Sequence, residues 1–245
     1  PTRRSSDLAA ENDEELMEIF FEKETLEEEE MKKGLLSGIL NGGLYPIFCS
    51  AAKKNIGTGR LLEFISNVLP SPDQVSGTTD KNNNEVKCDT SDKPTLYFFK
   101  TSVESHIGEV NFFKVMAGEI TEGIDLTNAR TANKERISQI YAVYGKNRVK
   151  LPKMEAGDIG ATVKLKATKT NDTLTTGNYE FGNIPFPEPK YRTAIRPLSE
   201  GEEEKLGEAL NKINDEDPTV VIEYSKELKQ IILSGQGEHH LNIVK

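Results

Sequence analysis

The sequence has no tryptophan, only two cysteines and three histidines, and no long apolar run. Cys49 and Cys88 are far apart and in unlike surroundings, which favours reduced thiols over a disulfide framework. No apolar stretch approaches the roughly 20 residues that a membrane-spanning helix needs. The polar N-terminus lacks the apolar segment of a signal peptide. We therefore expect a cytoplasmic protein that does not bind membranes.

The net charge of −9 is unevenly distributed along the chain. Residues 1–73 carry 8 basic and 14 acidic side chains, whereas residues 130–169 carry ten basic side chains against three acidic ones. A basic stretch within an acidic protein is a candidate contact for the phosphate backbone of a nucleic acid. The alternative is a solvated sheet face.

Helical signals dominate the first part of the chain. Residues 1–7 have no periodicity and resemble a foreign junction, so they are left out of the fold prediction. Asn12 with Glu15, and Thr25 with Glu28, have the spacing of capping boxes and predict two helix starts.

Further along the chain, the residue composition and the apolar periodicity change twice. Residues 43–52 predict a buried strand and residues 57–70 a helix with one apolar face. A polar, breaker-rich linker follows over residues 73–94. From residue 95 to about residue 176, short β-branched and aromatic runs separated by glycines predict a small closed β-barrel.

The last part of the chain predicts a split βαβ unit without its final strand. Three prolines stiffen residues 183–189, and an alternating strand follows. Ser199 with Glu202 predicts a helix that Pro218 ends. A two-stranded hairpin comes next, and a new helix begins at Gly237. A domain that stops before its edge strand points to a fragment.

Several motifs agree on one family. In order, they are "AENDEELMEIFFE" (10–22), "PIFCSAAKKNIGTGRLLEFISNVLPSP" (46–72), "GEVNFFKVMAGEITEG" (108–123), "KMEAGDIGATVKL" (153–165), "FPEPKYRTAIRP" (186–197), "NDEDPTV" (214–220) and "SGQGEHHLNIV" (234–244). The chain thereby resembles elongation factor G and its paralogues.

The resemblance implies an α+β multidomain fold. Its parts are the tail of an α/β GTP-binding domain with a helical insert (8–72), a linker (73–94), the second-domain β-barrel (95–182) and an incomplete ferredoxin-like third domain (183–245).

The sequence lacks the phosphate loop Gly-x-x-x-x-Gly-Lys-Ser/Thr and the guanine motif Asn-Lys-x-Asp. This chain alone should therefore not hydrolyse GTP. The resemblance implies that GTP and Mg²⁺ are cofactors of the full-length protein. It also implies a guanine-contacting loop at Ser50, Ala51, Ala52 and Lys53, in which Ala51 replaces the family's Ser. A plain strand-to-helix turn is the alternative.

The adjacent histidines in "GQGEHHL" (235–241) raise the question of a metal or catalytic site. Neighbouring helical residues point about 100° apart, so His239 and His240 cannot share one ion comfortably. The third histidine, His106, lies in a barrel loop. We expect a helix start here, with Glu238 at its positive end, and neither a metal site nor a catalytic residue.

The resemblance implies a monomeric, ribosome-binding part of a translocation factor. The barrel would contact small-subunit rRNA and the acidic helices the ribosomal stalk protein. The candidate rRNA-binding residues are Arg130, Lys134, Arg136, Lys146, Arg148 and Lys150. The alternatives are a ribosomal-protection or recycling factor of the same superfamily, and an unrelated barrel-plus-ferredoxin adaptor that binds no nucleotide.

The absence of both nucleotide-binding motifs from the sequence predicts weak nucleotide binding, which isothermal titration calorimetry can measure. The chain alone should bind neither GTP nor GDP with a micromolar dissociation constant, because it has no backbone cradle for the phosphates. Micromolar binding of either nucleotide would contradict this expectation.

Overall fold

A computed structural model of the protein describes residues 5–75, 77–104, 106–145, 147–197, 199, 201–227 and 229–244. The chain divides into two compact units, Pro1–Ser76 and Gly77–Lys245. The sequence predicts domain boundaries near residues 72, 94 and 182, and the division between the units falls at residue 76.

The first unit is helical. Its helices are α1 (Ser5–Ala10), α2 (Glu14–Lys23), α3 (Glu28–Leu40) and α4 (Thr58–Val68), with a 3-10 turn at Ala52–Lys54. Ala9, Ala10, Leu16 and Leu26 form its buried core. A Cβ at Gly34 would lie 2.3 Å from the carbonyl oxygen of Ala9, so α1 and α3 are in backbone contact there. Residues 5–7, which the fold prediction left out, belong to α1.

Two predicted helix caps are wrong by one or two residues. Asp13, and not Asn12, caps α2: its carboxylate accepts hydrogen bonds from the backbone amides of Glu15 and Leu16 at 3.0 and 3.3 Å. The cap of α3 is Glu27 and not Thr25. Several polar residues before each helix can serve as caps, so spacing alone does not choose between neighbours.

The predicted strand at residues 43–52 is also wrong. Residues 43–50 are irregular, and the side chain of Ile47 is 92% exposed. A strand needs neighbours to satisfy its backbone groups, and the described residues of this unit contain no strand beside it. The predicted helix at residues 57–70 is confirmed as α4, although Leu62 and Ile65 on its apolar face are exposed.

The second unit contains a curled antiparallel sheet of eight strands: β3 (Thr95–Glu104), β4 (Gly108–Ala117), β6 (Ile124–Asn128), β7 (Lys134–Ile137), β8 (Ile140–Tyr144), β9 (Asn147–Leu151), β11 (Ile159–Val163) and β12 (Thr173–Thr175). Their order in the sheet is β7-β6-β12-β3-β4-β11-β8-β9. Two short pairs accompany it, β1 (Thr78–Thr79) with β2 (Glu85–Val86), and β5 (Glu119–Thr121) with β10 (Lys153–Glu155). This barrel-like sheet confirms the predicted fold class.

The inner face of the curled sheet is a closely packed apolar core. The rings of Phe98 and Phe113 lie with centroids 5.6 Å apart and are fully buried. A Cβ at Gly160 would meet the sulfur of Met154 at 2.5 Å, so this glycine makes room for the methionine.

The segment 77–94, predicted as a linker, packs against the curled sheet. Val86 on β2 is buried together with Ala117 and Phe181. At Gly118, where φ is +76°, a Cβ would lie 2.6 Å from the nitrogen of Pro94, so only glycine fits this approach.

The last part of the chain has the predicted split βαβ order. Its elements are β13 (Tyr191–Ile195), α5 (Glu203–Glu216), β14 (Val221–Ser225), β15 (Gln230–Gly235) and α6 (Glu238–Val244), and the strand order is β13-β15-β14. Leu210 and Leu241 from the helices pack on Val220 and Leu233. Pro218 follows the end of α5, and the hairpin and the helix after Gly237 are confirmed. The cap of α5 is Glu202, and the predicted cap at Ser199 is wrong.

The aromatic core generates a stability prediction. Replacing Phe113 with Ala should lower the free energy of unfolding of the curled sheet by about 3–5 kcal/mol, because the vacated space cannot fully collapse. Tyr144→Ala is the matched control, since this side chain on β8 is 57% exposed, and it should cost no more than about 1 kcal/mol. Urea unfolding followed by circular dichroism measures both, and equal losses would contradict the assignment of the core.

Candidate nucleic-acid interface

Strand β7 carries two of the candidate rRNA-binding residues on its outer face. Lys134 and Arg136 are exposed, whereas Glu135 between them points inward and is buried. This alternation is the normal consequence of the two-residue period of a strand. Lys134 and Arg136 therefore share one surface.

The buried Glu135 carboxylate holds a second basic segment against this surface. It accepts hydrogen bonds from the backbone amides of Lys166 at 3.1 Å and Ala167 at 2.8 Å, and from the hydroxyl of Thr168 at 3.3 Å. The lysine loop, residues 164–169, consequently lies beside β7.

Lys164 and Lys166 in the lysine loop are exposed. Together with Lys134 and Arg136 of β7 they form a surface that we call the basic edge. Among the residues that the structure describes, no ion pair includes Lys134, Lys164 or Lys166, and Arg136 has only a distant partner, Asp125 at 3.8 Å.

A second buried carboxylate, Asp172, fixes the other end of the lysine loop. Its side chain is 3% exposed. It accepts from Arg130 Nε at 2.6 Å and Nη2 at 2.9 Å, from Asn128 Nδ2 at 2.9 Å and from the backbone amide of Lys169 at 2.9 Å. Burial is the largest single influence on the pKa of Asp172 and acts to raise it, but the hydrogen bonds, led by that of Arg130, lower the pKa overall. Arg130 is thus engaged in holding the loop.

The remaining candidates are also paired within the curled sheet. Arg148 on β9 contacts Glu104, and its side chain is only 18% exposed. Lys150 lies 2.9 Å from Glu122, which raises the lysine pKa through a hydrogen bond. Both residues belong to β9, at the opposite end of the strand order from β7. Lys146 lies outside the described residues.

The structure therefore divides the basic stretch into two groups. Lys134 and Arg136 lie beside Lys164 and Lys166, two lysines of the basic stretch that were not among the candidates. Arg130, Arg148 and Lys150 are each held by a carboxylate. The carboxylates that hold these three cations, Asp172, Glu104 and Glu122, lie at least 28 positions away in sequence, so the local pattern carried no signal of this division.

The candidate guanine-contacting loop is exposed at all four positions, Ser50, Ala51, Ala52 and Lys53. Ala51 and Ile56 form an isolated bridge, with the amide of Ala51 donating to the carbonyl of Ile56 at 3.0 Å. The 3-10 turn between them ends at Asn55, where φ is +53°. The loop is therefore a short closed turn before α4.

The histidine pair marks a helix start, as predicted. His240 Nδ1 accepts from the backbone amide of Gln236 at 3.2 Å, and His240 Nε2 lies 3.0 Å from Asp217 Oδ2. In the neutral ring this arrangement requires the proton on Nε2. His240 thus connects the start of α6 to the end of α5. No cluster of three or more His, Cys, Asp and Glu side chains suited to a metal occurs in the described residues.

None of the helices in the described part of the chain combines the length and the apolar character that crossing a membrane requires.

Comparisons with known proteins match most of the second unit. The family model described as Elongation factor G domain 2 matches residues 93–177, and the one described as Elongation Factor G, domain III matches residues 186–245. The chain is also similar to a solved crystal structure from Thermus thermophilus, with 27% sequence identity and a TM-score of 0.80. That match covers 98% of this chain and 34% of the other, so the chain spans about a third of the length of that relative.

The Asp172 cluster generates a pH prediction. Because the pKa of Asp172 is lower in the folded chain than the unfolded value of about 3.9, its stabilising effect is complete above about pH 5 and is lost as the pH falls through the folded pKa. Asp172→Asn should cost about 1–3 kcal/mol at neutral pH, and this cost should shrink below about pH 4.

The measurement is urea unfolding of parent and variant between pH 7 and pH 3. Asp125→Asn is the matched control, since Asp125 is exposed and 3.8 Å from its arginine, and it should change stability by no more than about 0.5 kcal/mol. A cost of Asp172→Asn that stays constant with pH would contradict the ionised buried carboxylate.

Proposed function

The chain belongs to the elongation factor G family, whose second and third domains it contains, and we propose that its basic edge binds small-subunit rRNA as part of a ribosomal translocase. The observation that supports this proposal is the basic edge itself. Lys134, Lys164 and Lys166 have no ion-pair partner among the described residues. Unpaired cations on one surface are what a phosphate backbone attracts, since binding releases condensed counterions.

The proposed contact is with the backbone and not with base edges. Three of the four cations of the basic edge are lysines, whose ammonium groups act as point charges and lack the rigid fork that pairs bidentately with guanine. The basic edge is therefore suited to rRNA recognised by shape and charge. The candidates Arg130, Arg148 and Lys150 contribute less in this proposal, because carboxylates already hold them.

The whole protein is proposed to use GTP with Mg²⁺ to promote movement of tRNA and mRNA during protein synthesis. Within this chain, the turn at Ser50, Ala51, Ala52 and Lys53 is proposed to contact the guanine through backbone amides. The exposed acidic start of α3, where Glu28 and Glu29 are 80% and 86% exposed, is proposed to meet the ribosomal stalk protein. The protein would act as a monomer.

A specialised relative, such as a ribosomal-protection or recycling factor, is the second candidate. The observation that favours it is Gln236, because the resemblance of "GQGEHHL" to the family's run Gly-Met-Gly-Glu-Leu-His-Leu implies a methionine at this position. The side-chain amide of Gln236 donates to the carbonyls of Pro187 at 2.9 Å and Glu188 at 3.2 Å. An apolar side chain cannot make these bonds, so in this member position 236 is bonded to the proline-rich segment that precedes β13.

The basic edge predicts a salt-dependent interaction with small ribosomal subunits. Reversing Lys134, Arg136 and Lys166 to Glu should weaken binding about tenfold or more, and should flatten the slope of log K against log salt by about 2–3. Co-sedimentation across a salt series measures both quantities. Thermal unfolding should change little, because the three side chains are exposed.

The matched control is the triple reversal of Lys87, Lys226 and Lys229, which makes the same charge change at exposed positions outside β7, the lysine loop and α5. It should retain most of the parent's affinity and salt slope. A folded basic-edge variant that sediments with small subunits as well as the parent does would overturn the proposal.

A further inference from the structure

The third domain contacts the curled sheet through the C-terminal end of α5. Asp215 Oδ1 lies 2.6 Å from Lys169 Nζ in the lysine loop. Glu216 Oε1 accepts from the backbone amide of Val103, at the end of β3, and lies 3.4 Å from the hydroxyl of Ser102. We call Asp215 and Glu216 the acidic end of α5.

These carboxylates sit where the helix itself disfavours them. The C-terminus of a helix carries partial negative charge, which favours basic side chains in the last turn. The last turn of α5 contains no basic residue. The helix therefore gains nothing locally from Asp215 and Glu216, and their partners lie on the curled sheet. A local conflict of this kind indicates a role elsewhere in the structure.

On the curled sheet, a buried carboxylate holds the backbone of the lysine that makes this contact. Lys169 follows the exposed lysines of the loop, and its backbone amide is fixed by the buried carboxylate of Asp172, which Arg130 clamps. The backbone of Lys169, from which its ammonium group reaches Asp215, is thus held by a buried hydrogen-bonded carboxylate.

The segment that connects the two domains, residues 184–190, is hydrogen-bonded at each end. Asn171 Oδ1 accepts from the amide of Ile184 at 3.0 Å, and the amide of Lys190 donates to the carbonyl of Gly235 at 2.9 Å. A single connection leaves the third domain free to rotate about the residues between these anchors. A second point of attachment removes that freedom.

We propose that the acidic end of α5 is a releasable lock that sets the orientation of the third domain on the curled sheet. Lys169 and the end of β3 are its receptor. The lock is releasable because the side chain of Lys169 is 62% exposed, and such ion pairs are weak and screened by salt.

Amide hydrogen exchange of Val103, followed by NMR on the full chain, tests this lock. Its N–H donates to Glu216 and so reports docking directly. Glu216→Ala should speed exchange of this amide at least about fivefold. Asp215→Lys and Lys169→Asp should each speed it by roughly two- to fivefold, and the double variant with both changes should restore the parent rate.

Lys166→Glu is the matched control, because it lies in the same loop and has no ion-pair partner among the described residues. It should leave the exchange of Val103 unchanged. Amides of buried residues such as Phe113 should stay protected in every variant, which shows that the sheet is folded. Unchanged Val103 exchange in Glu216→Ala and Asp215→Lys, or failure of the charge swap to restore it, would overturn the proposal.

Discussion

The structure of the second unit depends on the burial of two carboxylates in the curled sheet. Removing a carboxylate from water costs several kcal/mol unless its oxygens receive hydrogen bonds. Both carboxylates are buried. Glu135 obtains its donors from the lysine loop, whereas Asp172, which follows the loop, obtains one donor from Lys169 and the others from Asn128 and Arg130. The loop therefore has to lie over Glu135, and Asp172 fixes its far end to the segment at residues 128–130. The exposed lysines of the loop are brought beside β7, and Lys169 is brought to α5, as consequences of that arrangement.

Among the described residues of the helical first unit, no charged side chain is buried in a comparable way. Ile47 is 92% and Leu62 is 64% exposed, although both belong to runs whose patterns are typical of buried elements. The rings of Phe48 and Phe64 contact each other at 5.0 Å, which links residues 43–50 to α4 without burying either. The pattern of apolar residues shows which secondary structure a segment can form, whereas burial of those residues requires another element that packs against them. The same residues therefore predict a strand and yet remain irregular.

This difference explains how much of the structure the sequence predicts. The curled sheet and the split βαβ unit follow from alternation, glycine positions and helix stops, which are local features. The strand at residues 43–52 fails because strands form only in pairs. The functional surface is only partly predicted, because the residues that neutralise its charges are distant in sequence. Glu104 is 44 positions from Arg148 and Asp172 is 42 positions from Arg130, so counting charges along the chain treats engaged and free cations alike.

The division between engaged and free cations also follows side-chain chemistry. Arg130 presents two parallel donors to Asp172, a geometry that the planar guanidinium fork supplies and an ammonium group cannot. Arg148 is likewise mostly buried against Glu104. The cations left without a partner on the basic edge are lysines, whose hydrated point charges lose little when they remain in water. Arg130 thus holds the loop in place while Lys164 and Lys166 of the loop face solvent, and a surface built in this way attracts a polyanion without requiring a particular sequence. Of the three lysines in the lysine loop, only Lys169 pairs with Asp215 of the third domain. The number of unpaired positive charges in the loop therefore depends on the position of the third domain.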